Sequence, residues 1–139
     1  MEFKWRIYEY LNAQGRSAIG DWLIEGSISE RDRGQLVAKM DMLALHGPEL
    51  PPGLLAGPLK SKRNRKLQSH TYKLIIHGDK MLRPMLCKGP IDMDREYTML
   101  LGAIEVNFQL DEDVEDAELR RTEIIADPLN RRRLNGRYK

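Results

Sequence analysis

Residues 71–104 read TYKLIIHGDKMLRPMLCKGPIDMDREYTMLLGAI, and the reading of this stretch decides the fold class. Residues 71–77 and 80–88 are rich in β-branched, aromatic and aliphatic side chains and flank Gly78-Asp79, a Gly-X pair suited to the twist of a hairpin turn. Residues 97–106 follow an eight-residue connection, 89–96, and the unbroken run 99–104 predicts a strand buried on both faces. Together they form a three-strand meander. Pro84 conflicts with a regular ladder, because it has no N–H to donate, and it calls for an edge position or a bulge.

Upstream, Phe3, Trp5 and Ile7 alternate with Lys4, Arg6 and Tyr8, the period of two of a strand with one buried face. Asn12-Ala13-Gln14-Gly15 breaks it, and Ala18, Ile19, Trp22 and Leu23 then fall at helical spacing before Gly26. Ser27-Ile28-Ser29-Glu30 has the spacing of a capping box. Beyond it Leu36, Val37, Met40, Leu43 and Ala44 form one apolar stripe that ends at Gly47-Pro48. Residues 47–58 are too rich in Pro and Gly for regular structure. Downstream of the meander, Asp111 opens a last helix to about Ala126, with Val114, Ala117 and Ile124 inward, and Asp127-Pro128 closes it. The order predicts an α+β domain over residues 1–127: an antiparallel sheet of about four strands, with two N-terminal helices and a C-terminal helix on one face. Residues 128–139 read as a basic C-terminal tail.

At 139 residues the chain fits one domain. Its single cysteine, Cys87, excludes an intrachain disulfide, and there is no CxxC or Cys/His cluster of zinc spacing. No apolar run approaches the roughly 18 residues of a membrane span, and MEFKWRIYEY lacks the continuous apolar core of a signal peptide. A soluble intracellular protein is the expectation.

The charge is nearly balanced, 23 Lys+Arg against 21 Asp+Glu, but it is segregated. Residues 60–66 read Lys-Ser-Lys-Arg-Asn-Arg-Lys, five cations in seven positions, with no acid until Asp79. From Glu105 to Glu118 there are seven acids and no base. From Arg120 onward seven bases face only Glu123 and Asp127. Asp111, Glu112 and Asp113 suit the positive end of a helix dipole, so the acidic run has a structural reading. The cations at 60–66 repel one another and point to an anionic partner, because screening over about 8–10 Å makes the potential local.

This order, with His46-Gly47-Pro48 closing the second helix, Arg65-Lys66-Leu67 before the meander, Tyr72-Lys73-Leu74, Leu82-Arg83 and Leu100-Leu101-Gly102-Ala103-Ile104-Glu105 in its strands, resembles the RelE/HigB superfamily of toxins. The resemblance is nearest to the phage Gp49-like (HigB-type) branch, and Asp127-Pro128 with Arg131-Arg132-Arg133 is similar to its phage members. It implies a RelE-like fold and metal-independent cleavage of mRNA in the ribosomal decoding site. It also implies a helix-turn-helix antitoxin as partner, no cofactor, no membrane, and, for a phage-encoded protein, the host cytoplasm. By position it assigns Arg83, Lys66 and Tyr72 to catalysis, and the cation-rich run then supplies Lys60, Lys62, Arg63, Arg65 and Lys66 as the RNA-binding residues.

Two departures weaken the implied enzyme. The family's phosphate-binding Arg falls on Ile75, and its lysines after the last strand fall on Val106-Asn107. One lost oxyanion-type donor costs about 2.7–4 kcal/mol of transition-state stabilisation. His70 or His77 could stand in as base. The competing reading is an inactive phage effector that keeps the fold to bind and inhibit a host protein. No other constellation suggests chemistry: Ser17, Ser27 and Ser29 read as helix caps, Asp92 and Asp94 lack a third metal ligand, Cys87 reads as a core thiol, and Trp5 and Trp22 read as core.

Overall fold

The computed structural model describes residues 4–26, 28–51, 53–105 and 110–134. Phe3, Ser27, Val106, Asn107 and residues 135–139 lie outside this set. Strand β1 (Arg6–Tyr10) leads to helices α1 (Ala18–Glu25) and α2 (Glu30–His46). Then come β2 (Leu55–Ala56), β3 (Thr71–Leu74), β4 (Ile76–His77), β5 (Met81–Leu82), β6 (Met85–Lys88) and β7 (Glu96–Leu101). Helix α3 (Asp111–Ala126) and β8 (Arg131–Arg133) complete the fold. The architecture is α+β.

The sheet has six strands in the order β2-β3-β6-β7-β1-β8, and β4 and β5 form a separate hairpin. It is mixed, since β1 runs parallel to β7 while every other neighbouring pair is antiparallel. The expected four-strand antiparallel sheet is therefore extended at both edges. Leu55-Ala56 is too short to show a sequence period. Arg131–Arg133 has no apolar residue to mark it, yet it forms an antiparallel ladder with β1, held further by ion pairs of Arg132 with Glu9 of β1 (3.3 Å) and of Arg131 with Glu96 of β7. Arg131 also stacks 3.9 Å from the Tyr8 ring, and Leu134 enters the core. Residues 128–134 are thus part of the folded unit and not a free tail.

All six residues of β7 are buried, although the strand ends at Leu101 and does not run on through 106 as expected, and a strand covered on both faces needs two covering layers. Helices α1 and α2 cover one face with Ile19, Leu23, Leu36, Met40 and Leu43 over Ile7, Leu86, Tyr97 and Met99. Helix α3 covers the other, with Val114, Ala117 and Ile124 against Met85, Cys87, Leu100 and Leu101. The helices therefore occupy both faces. Pro84 falls between β5 and β6, where the ladder to β7 shifts register between Met85 and Leu86, so the missing N–H breaks the predicted strand in two.

Ser17 caps α1 by accepting from the Gly20 N–H at 2.9 Å. The cap of α2 is Ser29, whose Oγ accepts from the Asp32 N–H at 3.1 Å, so Glu30 is the first helical residue and not the far end of a capping box. Asp32 is buried because its carboxylate accepts from the N–H groups of Asp79 (3.1 Å) and Lys80 (3.3 Å). It fills the space a Cβ at Gly78 would need, which fixes the β4–β5 turn on the start of α2. Ser29→Ala is expected to cost about 1 kcal/mol and to lower the melting temperature by about 4 °C in a calorimetric scan. An unchanged melting temperature would mean that the cap does not bear on stability. No described helix is long and apolar enough to cross a membrane.

Candidate nucleic-acid interface

The segment from Pro58 to His70 is shaped by one acidic stripe of α3. Asp111, Glu115 and Glu118 stand at i, i+4 and i+7, the spacing that puts side chains on one helical face. Asp111 accepts from the Lys62 N–H at 2.9 Å. Glu115 accepts from the Ser61 hydroxyl at 2.7 Å and takes a forked pair of bonds from Arg63, Nε at 2.9 Å and Nη2 at 2.7 Å. Glu118 accepts from the His70 N–H, from Thr71 Oγ1 at 2.8 Å, and faces His70 Nδ1 at 3.2 Å. The acidic run is thus more than a helix-dipole feature. It is the internal countercharge that folds the basic segment.

Hydrogen bonds from Arg63, then from Ser61, hold the Glu115 carboxyl down to about 2, and the same contact raises Arg63. A carboxylate depressed in the folded state contributes above its ordinary value, and that contribution is lost as pH falls toward the folded one. Docking of the segment is therefore expected to be complete above about pH 4.5 and to loosen as pH falls toward 2. Amide resonances of Ser61, Lys62 and Arg63 would report it. A flat response across that window would contradict the latch.

With Ser61 buried and Arg63 paired to Glu115 at the surface, Lys60, Lys62, Arg65 and Lys66 are exposed and have no ion-pair partner among the described residues. Lys60, Lys62 and Arg65 line a cavity of about 520 Å³ together with Ser61, Asn64 and Gln68. Lys66 lies in the adjoining turn. Of the five residues assigned to RNA binding, the structure thus presents four outward and engages the fifth, Arg63, with Glu115.

The three residues assigned to catalysis do not converge. Tyr72 pairs with Leu86 and packs against the α1/α2 core. Arg83 is in the interior, its side chain 4% exposed, with Nε on Glu105 at 2.8 Å and Nη1 on the carbonyl oxygens of Leu82 (2.8 Å) and Ile76 (3.2 Å). Glu105 also takes a bond from Lys73 Nζ at 3.2 Å. Lys73 lies opposite Met85, on the α3 face, so Tyr72 and the Arg83 cluster are on opposite sides of the sheet. Burial pushes the Glu105 carboxyl up, but the hydrogen bonds and charges of Lys73 and Arg83 outweigh it and hold it below the usual carboxylate range. Comparisons with protein-family models, curated proteins and solved structures find no match to this chain. The site rests on its own geometry.

The remaining candidates are not brought to this segment. His77 is exposed on the β4–β5 hairpin, and its ring makes no hydrogen bond among the described residues. Asp92 pairs with Arg6 at 3.1 Å and accepts from the Asp94 N–H, and among the described residues no three His, Cys, Asp or Glu side chains group to hold a metal ion. Burial pushes the Cys87 thiol up to about 12, which makes it a poor nucleophile. Trp5 packs on Tyr97 with ring centroids 4.8 Å apart, and Trp22 lies against the same core. Reading the sequence alone missed Lys73, Glu105 and the Asp111–Glu115–Glu118 stripe. The signal for the stripe was present, since its i, i+4, i+7 spacing flanks the apolar positions Val114, Ala117 and Ile124.

Proposed function

We propose that the chain is a RelE/HigB-like, phage toxin-type protein that acts on translation by metal-independent mRNA cleavage, gripping RNA with Lys60, Lys62 and Arg65 and, beside them, Lys66. The observation that carries this reading is the cavity lined by three unpaired cations, in a segment whose shape is fixed by acids placed behind it. Cations held outward by an internal scaffold cost stability through mutual repulsion, and phosphates relieve it. The element order, with β1 beside the last meander strand, supports a RelE-like assignment. The partners on this reading are mRNA on the ribosome in the host cytoplasm and a helix-turn-helix antitoxin.

A second reading has its own support. Glu105 neutralises Arg83, the cation the resemblance assigns to catalysis, together with Lys73, which favours a catalytically inactive effector that binds a host protein. Adding the purified protein to a translating extract separates the two. Shortened reporter mRNA supports the nuclease. Intact mRNA, together with a host partner that survives nuclease treatment in a pull-down, supports the effector.

A further inference from the structure

Every residue that lines the cationic cavity comes from one continuous stretch, Pro58 to Ser69. The ends of that stretch are joined, since the Leu59 N–H donates to the Thr71 carbonyl at 2.7 Å and the Thr71 N–H donates to Ser69 Oγ at 3.1 Å. Its middle is folded by two more bonds, from the Asn64 N–H to Ser61 Oγ at 3.2 Å and from the Leu67 N–H to the Asn64 carbonyl at 3.2 Å. Ser61 in turn donates to Glu115. The stretch is therefore a closed loop whose own side chains wall the cavity, the arrangement of a compact Ω-type loop. A groove that tracks a strand must be open at both ends, whereas a cavity walled by one closed loop suits a compact body.

The cavity measures about 520 Å³, within the range of roughly 300–1,000 Å³ usual for small-ligand sites. Its walls offer three kinds of contact. Pro58 and half-buried Leu67 give an apolar surface, extended by the methylene stems of Lys60, Lys62 and Arg65. Asn64 and Gln68 bring side-chain amides that make no hydrogen bond among the described residues. The three cations have no ion-pair partner there either. A nucleoside phosphate answers all three, with flat apolar faces, an edge of donors and acceptors, and an anion. Inorganic phosphate uses only the cations, and a nucleoside leaves them without a countercharge.

We propose that the loop is a nucleotide pocket, which holds one nucleoside phosphate with its base on Pro58 and Leu67, its base edge at Asn64 and Gln68, and its phosphate among the three cations. The proposal deepens the reading of the segment as a phosphate grip and rests on it. The nucleotide is either free or the terminal unit of an RNA chain, whose following phosphates then meet Lys66 in the adjoining turn.

The test is titration calorimetry of the full chain with 5′-AMP, 5′-GMP, 5′-CMP and 5′-UMP, their nucleosides and inorganic phosphate. At least one monophosphate is expected to bind at a single site, at least about tenfold tighter than its nucleoside and than inorganic phosphate, the worth of one charge-assisted hydrogen bond. Asn64→Ala combined with Gln68→Ala should lower nucleotide affinity by at least about tenfold and leave that of inorganic phosphate unchanged. Unchanged nucleotide affinity in this variant overturns the placement of the base. Competition by a 5′-phosphorylated linear RNA and by a circular RNA of the same sequence separates the two sources. Displacement of the nucleotide by the linear RNA alone supports a chain end in the loop. Displacement by neither supports a free nucleotide and counts against RNA as the ligand of the segment. Displacement by the circle overturns the proposal, because an internal nucleotide then fits. Monophosphates that bind no tighter than inorganic phosphate also overturn it, and the phosphate grip still stands if RNA binding falls steeply with salt. Absence of binding by nucleotides and RNA alike overturns both.

Discussion

Arg83→Ala is expected to lower stability by about 3 kcal/mol, the lower end of the cost of removing one partner from a buried ion pair, and the melting temperature by roughly 10 °C. The low end applies because Lys73 remains to hold Glu105, whose side chain is 8% exposed. Two carbonyl oxygens, of Ile76 and Leu82, lose their donor at the same time. A loss of activity in this variant would therefore report loss of fold. Arg83→Met combined with Glu105→Leu removes both charges, and isosteric apolar replacement of a buried pair is often neutral. The double variant should recover only part of the stability lost in Arg83→Ala, because Lys73 loses Glu105 and the two carbonyl oxygens still lack a donor. If it instead melts as low as the single variant, the pair is not the source of the loss. If it folds normally but loses only RNA cleavage, Arg83 has a catalytic role that its burial argues against.

The second large effect is on binding. Converting Lys60, Lys62, Arg65 and Lys66 together to Gln should leave the fold intact, because exposed substitutions away from special contacts usually change stability by less than about 0.5 kcal/mol. Each single-strand phosphate contact contributes a factor that scales with salt to about the −0.7 power. Four lost contacts at 50 mM salt then weaken RNA binding by on the order of 10³-fold. Arg63→Gln belongs to a different class. Its guanidinium is already committed to Glu115, so it should disturb the segment's shape more than its external charge. Equal losses of affinity for single substitutions at Arg63 and at Lys62 would argue against this division of labour.

Periodicity carries the fold best where one face is apolar. The stripe of α2, the inward positions of α3 and the two-sided burial of β7 follow directly from residue spacing, since burial selects for it. The edge strands do not, because Leu55-Ala56 and Arg131–Arg133 are stabilised by pairing to a neighbour and not by an apolar period. Placement of α3 on the opposite face depends on which layer is left uncovered, a property of the assembled sheet. At the site, the cationic cluster was legible as charge but its sorting into Arg63, paired with Glu115, and Lys60, Lys62, Arg65 and Lys66, without an ion-pair partner among the described residues, was not. That sorting depends on a helix some fifty residues away in sequence. Arg83 shows the opposite case, where a residue matched by position to a family role is turned inward by Glu105, the acid that ends the last meander segment.

The central claim, that the segment from Pro58 to His70 is a phosphate grip, is tested most directly by the salt dependence of RNA binding. The logarithm of the wild-type binding constant for single-stranded RNA, plotted against the logarithm of salt concentration, should fall with a slope of about −3, the value for four released counterions. The Lys60/Lys62/Arg65/Lys66→Gln variant should give a slope near zero. A wild-type slope near zero, or the same steep slope in the variant, would contradict the claim.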